Sequence, residues 1–275
     1  MNLSVVVPVF NEEKNVEPLH DKIKKVLEGI GKEYETIFVD AGSKDGAFEN
    51  LLKIHNKEEE TKIIKFRRNF GQSAALKAGF DYAKGDMVIT MDGDLQNDPE
   101  DIPKLLEKMN EGYDLVSGWR FDRKDSFAKK IPSKFSNLLH KKLTGINNIH
   151  DSGCSLKVYK GEVIKDLELY GETHRYIPAM LSWQGYKIGE VKVQHHERKY
   201  GKTKYGLGRL IRGFLDLLNI SFWQRYHARP LHLMGGLGIL TFTLGFLIGL
   251  YLTIQRLFFG VGIGDRPLLL LAVLL

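Results

Sequence analysis

One cysteine, Cys154, stands in a chain of 275 residues. A lone thiol excludes an intramolecular disulfide and any zinc site built on several cysteines. No secretory leader is expected either, because Met1 runs straight into strand-like residues. Phosphate-cradling glycine patterns are also absent. No Gly-x-Gly-x-x-Gly follows the first strand and no Walker sequence occurs. A nucleotide bound by this chain would be held by loops at strand ends. Charge is lacking in one region, since no residue from Leu233 to Ile254 carries any.

What is present divides unevenly along the chain. Hydrophobic content of 43% with 27% charged residues is ordinary for a globular protein. That average conceals a split, because residues beyond position 226 are dominantly apolar. Net charge is +6, from 40 basic and 34 acidic residues, with the basic ones crowded over 198–229. Such a patch suits phosphates, anionic lipid or nucleic acid. It adjoins an apolar run and lacks interleaved stacking aromatics, which argues against nucleic acid.

The organising stretch is Met87-Val88-Ile89-Thr90-Met91-Asp92-Gly93-Asp94-Leu95-Gln96. Its first five residues read as a buried strand that breaks at an Asp-Gly-Asp turn. In open α/β sheets ligands bind beyond the carboxyl ends of strands. Asp92 and Asp94, held there on a tight turn, suit a divalent cation carrying phosphate oxygens, and Gln96 adds a neutral polar group. A solvated turn leading into the next helix uses the same residue types.

Around it, strands are expected at Leu3–Val7, Tyr34–Asp40, Lys62–Phe66, Asp114–Ser117 and Lys187–Val193, with a short one after Ser155. Helices are expected between them, with Asn11 capping the first, one from about Ser73 to Ala83, one over Glu172–Trp183 and a basic amphipathic one over Phe127–Leu143. This alternation predicts an α/β fold with a mostly parallel sheet covered on both faces. From Leu207 to Phe222 the pattern is that of an amphipathic helix lying in a membrane interface or packed on the core. The uncharged run is long enough to span a bilayer, which takes about 20 residues. Gly245 and Gly249 give it the small-xxx-small spacing that lets two helices approach, so a homo-oligomer through this span is possible. The expected organisation is a catalytic domain over 1–205, a juxtamembrane region over 206–229 and a membrane region over 230–275. Within the last, a full span covers 231–256 and a second, truncated span begins at 267.

Taken in order, VVVPVFNEEKNV, VDAGSKDG, RRNFGQSAALKAGF, MDGDLQNDPEDIP, SGWR and YGKTKYG resemble family 2 of the glycosyltransferases. The similarity is to its polyprenyl-phosphate hexosyltransferase branch, which includes bactoprenol glucosyltransferases and dolichyl-phosphate mannose synthases. It covers nearly the whole chain and implies the GT-A fold, a nucleotide-sugar donor, Mg²⁺ or Mn²⁺, and a polyprenyl phosphate acceptor. On the matching positions it implies that Pro8, Phe10, Glu12 and Asp40 line the nucleotide pocket. It further implies that Asp92, Asp94 and Gln96 form the metal and donor-phosphate motif, and that Arg120 lies near the acceptor phosphate. Similar sequences usually carry two adjacent acids after the second strand, where this one has Asp40-Ala41. A catalytically impaired membrane scaffold of the same fold is the alternative that this departure supports.

The chemistry adds further expectations. An acceptor that is a phosphate monoester, with a second pKa near ~6, is an anionic nucleophile without help from a base. Asp151 is then either a base or an element that orders its loop. Arg175, next to His174, is either a surface residue or part of a donor-site lid. Arg198 and Lys202 are expected to grip the acceptor phosphate with Arg120. Glucose is favoured as the sugar, from UDP-glucose, with GDP-mannose as the alternative donor. Arg225 and Arg229 before the span put the catalytic domain on the cytoplasmic side of the cell membrane.

Overall fold

The computed structural model describes residues 2–121, 149–165, 167–198, 215–216, 218–223, 226, 230–260, 262 and 267–274. The chain falls into two compact units, Met1–Ile220 and Ser221–Leu275. The expected helix over Phe127–Leu143, the YGKTKYG stretch with Lys202, and the start of the interfacial helix lie outside the described residues.

In the first unit, the elements are β1 (Leu3–Val9), α1 (Glu13–Ile30), β2 (Tyr34–Asp40), α2 (Ala47–His55), β3 (Thr61–Lys65) and α3 (Gln72–Tyr82). These are followed by β4 (Met87–Thr90), a 3₁₀ turn (Pro99–Asp101), α4 (Ile102–Met109), β5 (Leu115–Arg120) and β6 (Lys157–Lys160). The unit continues with α5 (Gly161–Lys165), a second 3₁₀ turn (Thr173–Tyr176), α6 (Ile177–Trp183) and β7 (Ile188–Val193). The strands form one seven-stranded sheet in the order β3-β2-β1-β4-β6-β5-β7. All neighbours run parallel except β6, which is antiparallel to both β4 and β5.

Strand alternation sorts the apolar side chains to two faces. Val5, Val7 and Val9 of β1 join Phe38 and the buried sides of α1, α2 and α4 in one core. Val6 joins Ile37, Val39, Ala75, Leu76 and Phe80 in the other, beneath α3. There α3 comes so close to β1 that a Cβ on Gly79 would lie 2.2 Å from Val6 Cγ1, so only glycine fits.

Several boundaries differ from the sequence reading. Asn11 does not cap α1. It takes φ +54° and its side-chain oxygen accepts from the Lys44 amide at 2.8 Å, tying the loop after β1 to the loop after β2. Asn tolerates that left-handed conformation, which removes it from the capping position. The helix expected from Glu172 begins only at Ile177, after a 3₁₀ turn, with Pro178 in its first turn. β5 runs on past Ser117 through Arg120, because its outer residues pair with β7.

The topology makes one edge of the sheet the place where loops converge. β2 and β4 flank β1: the chain steps from β1 to β2 and β3 on one side and then crosses back to β4 on the other, and such a switch point is where open α/β sheets bind ligands. β6 runs antiparallel, so the turn leading into it, Asp151–Ser155, arrives at the same edge. β7 runs parallel to β5 and delivers Gln194–Arg198 there as well.

The second unit contains α7 (Pro230–Phe259) and α8 (Pro267–Leu274). α7 encloses residues 231–256 and, among the described residues, is the one helix long and apolar enough to cross a membrane, with mean hydropathy 2.1. Many of its apolar side chains, Ile239, Phe242, Phe246 and Phe258 among them, are exposed, while Leu252 is buried.

Candidate active site

Asp40, at the end of β2, is fully buried. Its Oδ1 accepts from the Ser43 amide at 3.1 Å, while Oδ2 meets no hydrogen-bond donor among the described residues. A buried carboxylate oxygen left that way is costly unless a ligand supplies the donor. Ala41 follows it into the core beneath α3, leaving one acid at this point of the edge. Phe10 packs against the same core.

The Asp-Gly-Asp turn is held under strain. Leu95, a buried non-glycine residue, takes φ +62°, a conformation that persists only where surroundings impose it. A Cβ on Gly93 would lie 3.1 Å from the Pro8 carbonyl oxygen, a close approach that brings the turn against the end of β1. The turn presents its carboxylates separately. Gln72 Nε2, at the start of α3, donates to Asp92 Oδ1 at 2.7 Å. Asp94 is buried, accepts from the Gln96 amide at 3.1 Å, and meets Arg198 Nη2 at 2.5 Å. Arg198 Nη1 reaches Glu12 Oε1 at 3.3 Å, so one guanidinium bridges two buried carboxylates from different loops. Burial, and then the negative charge of Asp92, push the Asp94 carboxyl up to about 6 against the opposing pull of Arg198.

Arg198 is brought there by a run of contacts between the chain after β7 and the chain after the turn. The Gln194 amide donates to Asp101 Oδ2 at 2.6 Å, and Asn97 forms a bridge with His195. The His196 amide donates to the Gln96 carbonyl at 2.8 Å, and Gln96 Nε2 donates back to the His196 carbonyl at 3.3 Å. His196 Nε2 lies 2.7 Å from Asp98 Oδ2. Burial raises the Asp98 carboxyl, but the His196 contact and the Glu100 amide more than offset this and hold it below its ordinary value.

On the neighbouring strands, Arg120 grips Asp151 through Nε at 2.6 Å and Nη2 at 2.9 Å. Both Asp151 oxygens are engaged by that fork, which favours the loop-ordering alternative over the base. Lys157, fully buried at the start of β6, donates to the Cys154 carbonyl and fixes the same turn. Burial pushes its amine below the usual lysine value. Arg175 pairs with Glu172, its Nε 3.4 Å from Oε2. Its neighbour His174 meets Ser73 Oγ at 2.9 Å, one residue from Gln72. A cavity of about 470 Å³ opens beside this turn, lined by Asn69, Phe70, Gly71, Gly171, Glu172, Leu215 and Asp216.

The edge therefore unites Glu12, Asp94 and Arg198, sets Asp92 and Gln96 beside them, and keeps Arg120 with Asp151. Sequence reasoning missed Gln72 and the His196–Asp98 contact. RRNFGQS was read as a motif with no role for its glutamine, and His196 lies far from Asp98 in sequence. Among the described residues no three His, Cys, Asp or Glu side chains converge to hold an ion alone. Asp92 and Asp94 are nonetheless hard oxygen donors, and Asp94 already binds a cation, the Arg198 guanidinium. Such a pair fits a divalent ion whose other ligands come from a bound phosphate and water.

Residues 4–167 match the family described as Glycosyl transferase family 2. The chain belongs to glycosyl transferase family 2. This family 2 protein is 44% identical, over 280 aligned residues, to the dodecaprenyl-phosphate galacturonate synthase of Rhizobium johnstonii, covering 100% of this chain and 82% of that one. It is 38% identical over 274 residues to the undecaprenyl-phosphate 4-deoxy-4-formamido-L-arabinose transferase of Proteus mirabilis, covering 99% and 82%. Its fold is similar to that of glucosyl-3-phosphoglycerate synthase from Mycobacterium tuberculosis, crystallised with Mn²⁺ and UDP-glucose. The TM-score is 0.65 at 19% identity, over 80% of this chain and 78% of that one. The family 2 sheet is thus of the GT-A kind, as the motifs imply.

Proposed function

We propose that this glycosyltransferase moves a sugar from a nucleoside diphosphate to a polyprenyl phosphate at the membrane surface, with inversion at the anomeric carbon. The observation that carries the reading is the convergence of Asp40, Glu12 and Asp94–Arg198 at the switch point of the sheet. The two relatives named by polyprenyl-phosphate acceptors support the lipid.

Asp40 Oδ2 would accept from the nucleotide base, with Pro8 and Phe10 shaping that end of the pocket. Asp94, assisted by Asp92, would hold Mg²⁺ or Mn²⁺, which when bound neutralises the donor diphosphate as a Lewis acid. Gln72 keeps Asp92 aimed at that position, and Gln96 fixes the segment carrying Arg198. The acceptor phosphate is anionic at neutral pH and attacks without a base. Arg120, oriented by Asp151 and the turn that Lys157 supports, would receive it, with Lys202 from the basic stretch. Arg175 belongs to the wall beside the donor sugar. Displacement in one step gives a β-linked product from an α-linked donor.

Glucose, favoured by the motifs, finds no support in the relatives, whose names carry galacturonate and a formamido-arabinose. We therefore place a uronic acid first among donor sugars, with glucose and mannose behind it. Purified chain in detergent, given polyprenyl phosphate and a panel of radiolabelled UDP- and GDP-sugars, tests both parts. Lipid-linked label from a UDP-uronic acid is expected. Label from no donor would leave the scaffold reading standing.

A further inference from the structure

We propose that Arg198 is a displaceable counter-cation: it bridges Glu12 and Asp94 and offsets part of their charge until a divalent ion arrives, then gives up Asp94 and turns to the donor diphosphate. The inference rests on the metal assignment proposed above and goes beyond it in giving the site two alternating cations.

Glu12 and Asp94 are both buried, at 7% exposure each, and both reach the same guanidinium. Buried carboxylates brought together in this way require a positive partner, because burial of uncompensated charge is strongly unfavourable. Arg198 supplies it with one nitrogen on each acid, at 3.3 and 2.5 Å. It does not grip either acid with both nitrogens, which is the stronger arrangement for guanidinium and carboxylate. A bridge of single contacts can be given up one at a time. The Arg198 side chain keeps 23% of its surface exposed, so it has room to turn.

The backbone limits how far it goes. Gln194, His195 and His196 are fastened to Asp101, Asn97, Gln96 and Asp98. A guanidinium released from Asp94 stays within reach of whatever binds the Asp-Gly-Asp turn. It arrives with the planar donor geometry that suits phosphate oxygens. The empty site is thereby partly compensated, and an occupied one gains a second cation on the leaving group. A lysine would lack the second, separately placed nitrogen and would serve the two acids and the diphosphate less well.

The test is Mn²⁺ binding to the full chain in detergent, followed by the electron paramagnetic resonance signal of free Mn²⁺. Asp94→Asn sets the background. Without nucleotide, Arg198→Gln is expected to bind Mn²⁺ at least about tenfold more tightly than the unaltered chain, the effect of one lost hydrogen bond to a charged group. Arg198→Lys should fall between them. With UDP present the order should reverse, because the guanidinium then contributes to the diphosphate. Equal or weaker binding by Arg198→Gln without nucleotide overturns the proposal. If Arg198→Gln does not fold by circular dichroism, His196→Ala loosens the same segment and should tighten Mn²⁺ binding in the same direction; no change there overturns it too. Should the unaltered chain and Arg198→Gln both stay at the Asp94→Asn background, the metal assignment itself fails.

Discussion

Asp94 links stability to pH. An acid whose folded-state pKa is raised holds its proton more tightly in the folded chain than in the unfolded one. Its contribution therefore favours folding most below 3.8 and declines as pH rises toward about 6. Each unit corresponds to about 1.4 kcal/mol, so the loss across that window is at most ~3 kcal/mol. Asp94→Asn should flatten this part of the stability profile, raise the denaturation midpoint at pH 7, and lower turnover by ~10²-fold or more. Thermal melts at several pH values together with transfer assays check both halves, and a stabilised but fully active variant would remove Asp94 from the site. Asp151 makes a different case, because both of its oxygens accept from the Arg120 guanidinium. Asp151→Asn should raise the acceptor KM and leave the shape of the pH–rate profile unchanged. Disappearance of an acidic limb would instead identify a base.

At the level of elements, the fit of α3 on β1 depends on Gly79. Gly79→Ala forces a methyl into Val6, and overpacking of this kind typically costs ~1–3 kcal/mol. Urea denaturation should show that loss with an unchanged slope. Because α3 also carries Gln72, donor-nucleotide affinity should fall in the same variant. The strands and helices around this contact were legible in the sequence, since β1, β2 and β4 are rich in apolar and β-branched residues and end on polar loops. The antiparallel direction of β6 was not, for a four-residue strand has no signal for its neighbour's direction. Asn11 misled for a related reason: its residue type suits both a helix cap and a left-handed turn, and only the loop after β2, with Ser43 and Lys44, decides between them. The site acids were readable from Asp92-Gly93-Asp94 and Asp40. What holds them was not, because Arg198 and Gln72 reach them across long sequence separations.

For the molecule as a whole, the division between Met1–Ile220 and Ser221–Leu275 separates a water-facing fold from exposed apolar helix. A chain ending at Arg229 should remain folded without detergent and still bind nucleotide, yet transfer poorly to long-chain lipid in vesicles. In the full chain, the first unit should be protected from protease in sealed right-side-out vesicles and cut in inverted ones; the reverse pattern would place the catalytic face outside. Cys154 offers a way to watch that unit at work. Burial pushes its thiol up to about 11, and its sulfur lies within the sheet's core beside Gly118. A maleimide should leave it untouched while the fold is closed and label it only through opening events. The chain thus carries a built-in clock: labelling that slows when nucleotide, metal or lipid is added would time the tightening of the active-site turn, without any engineered probe.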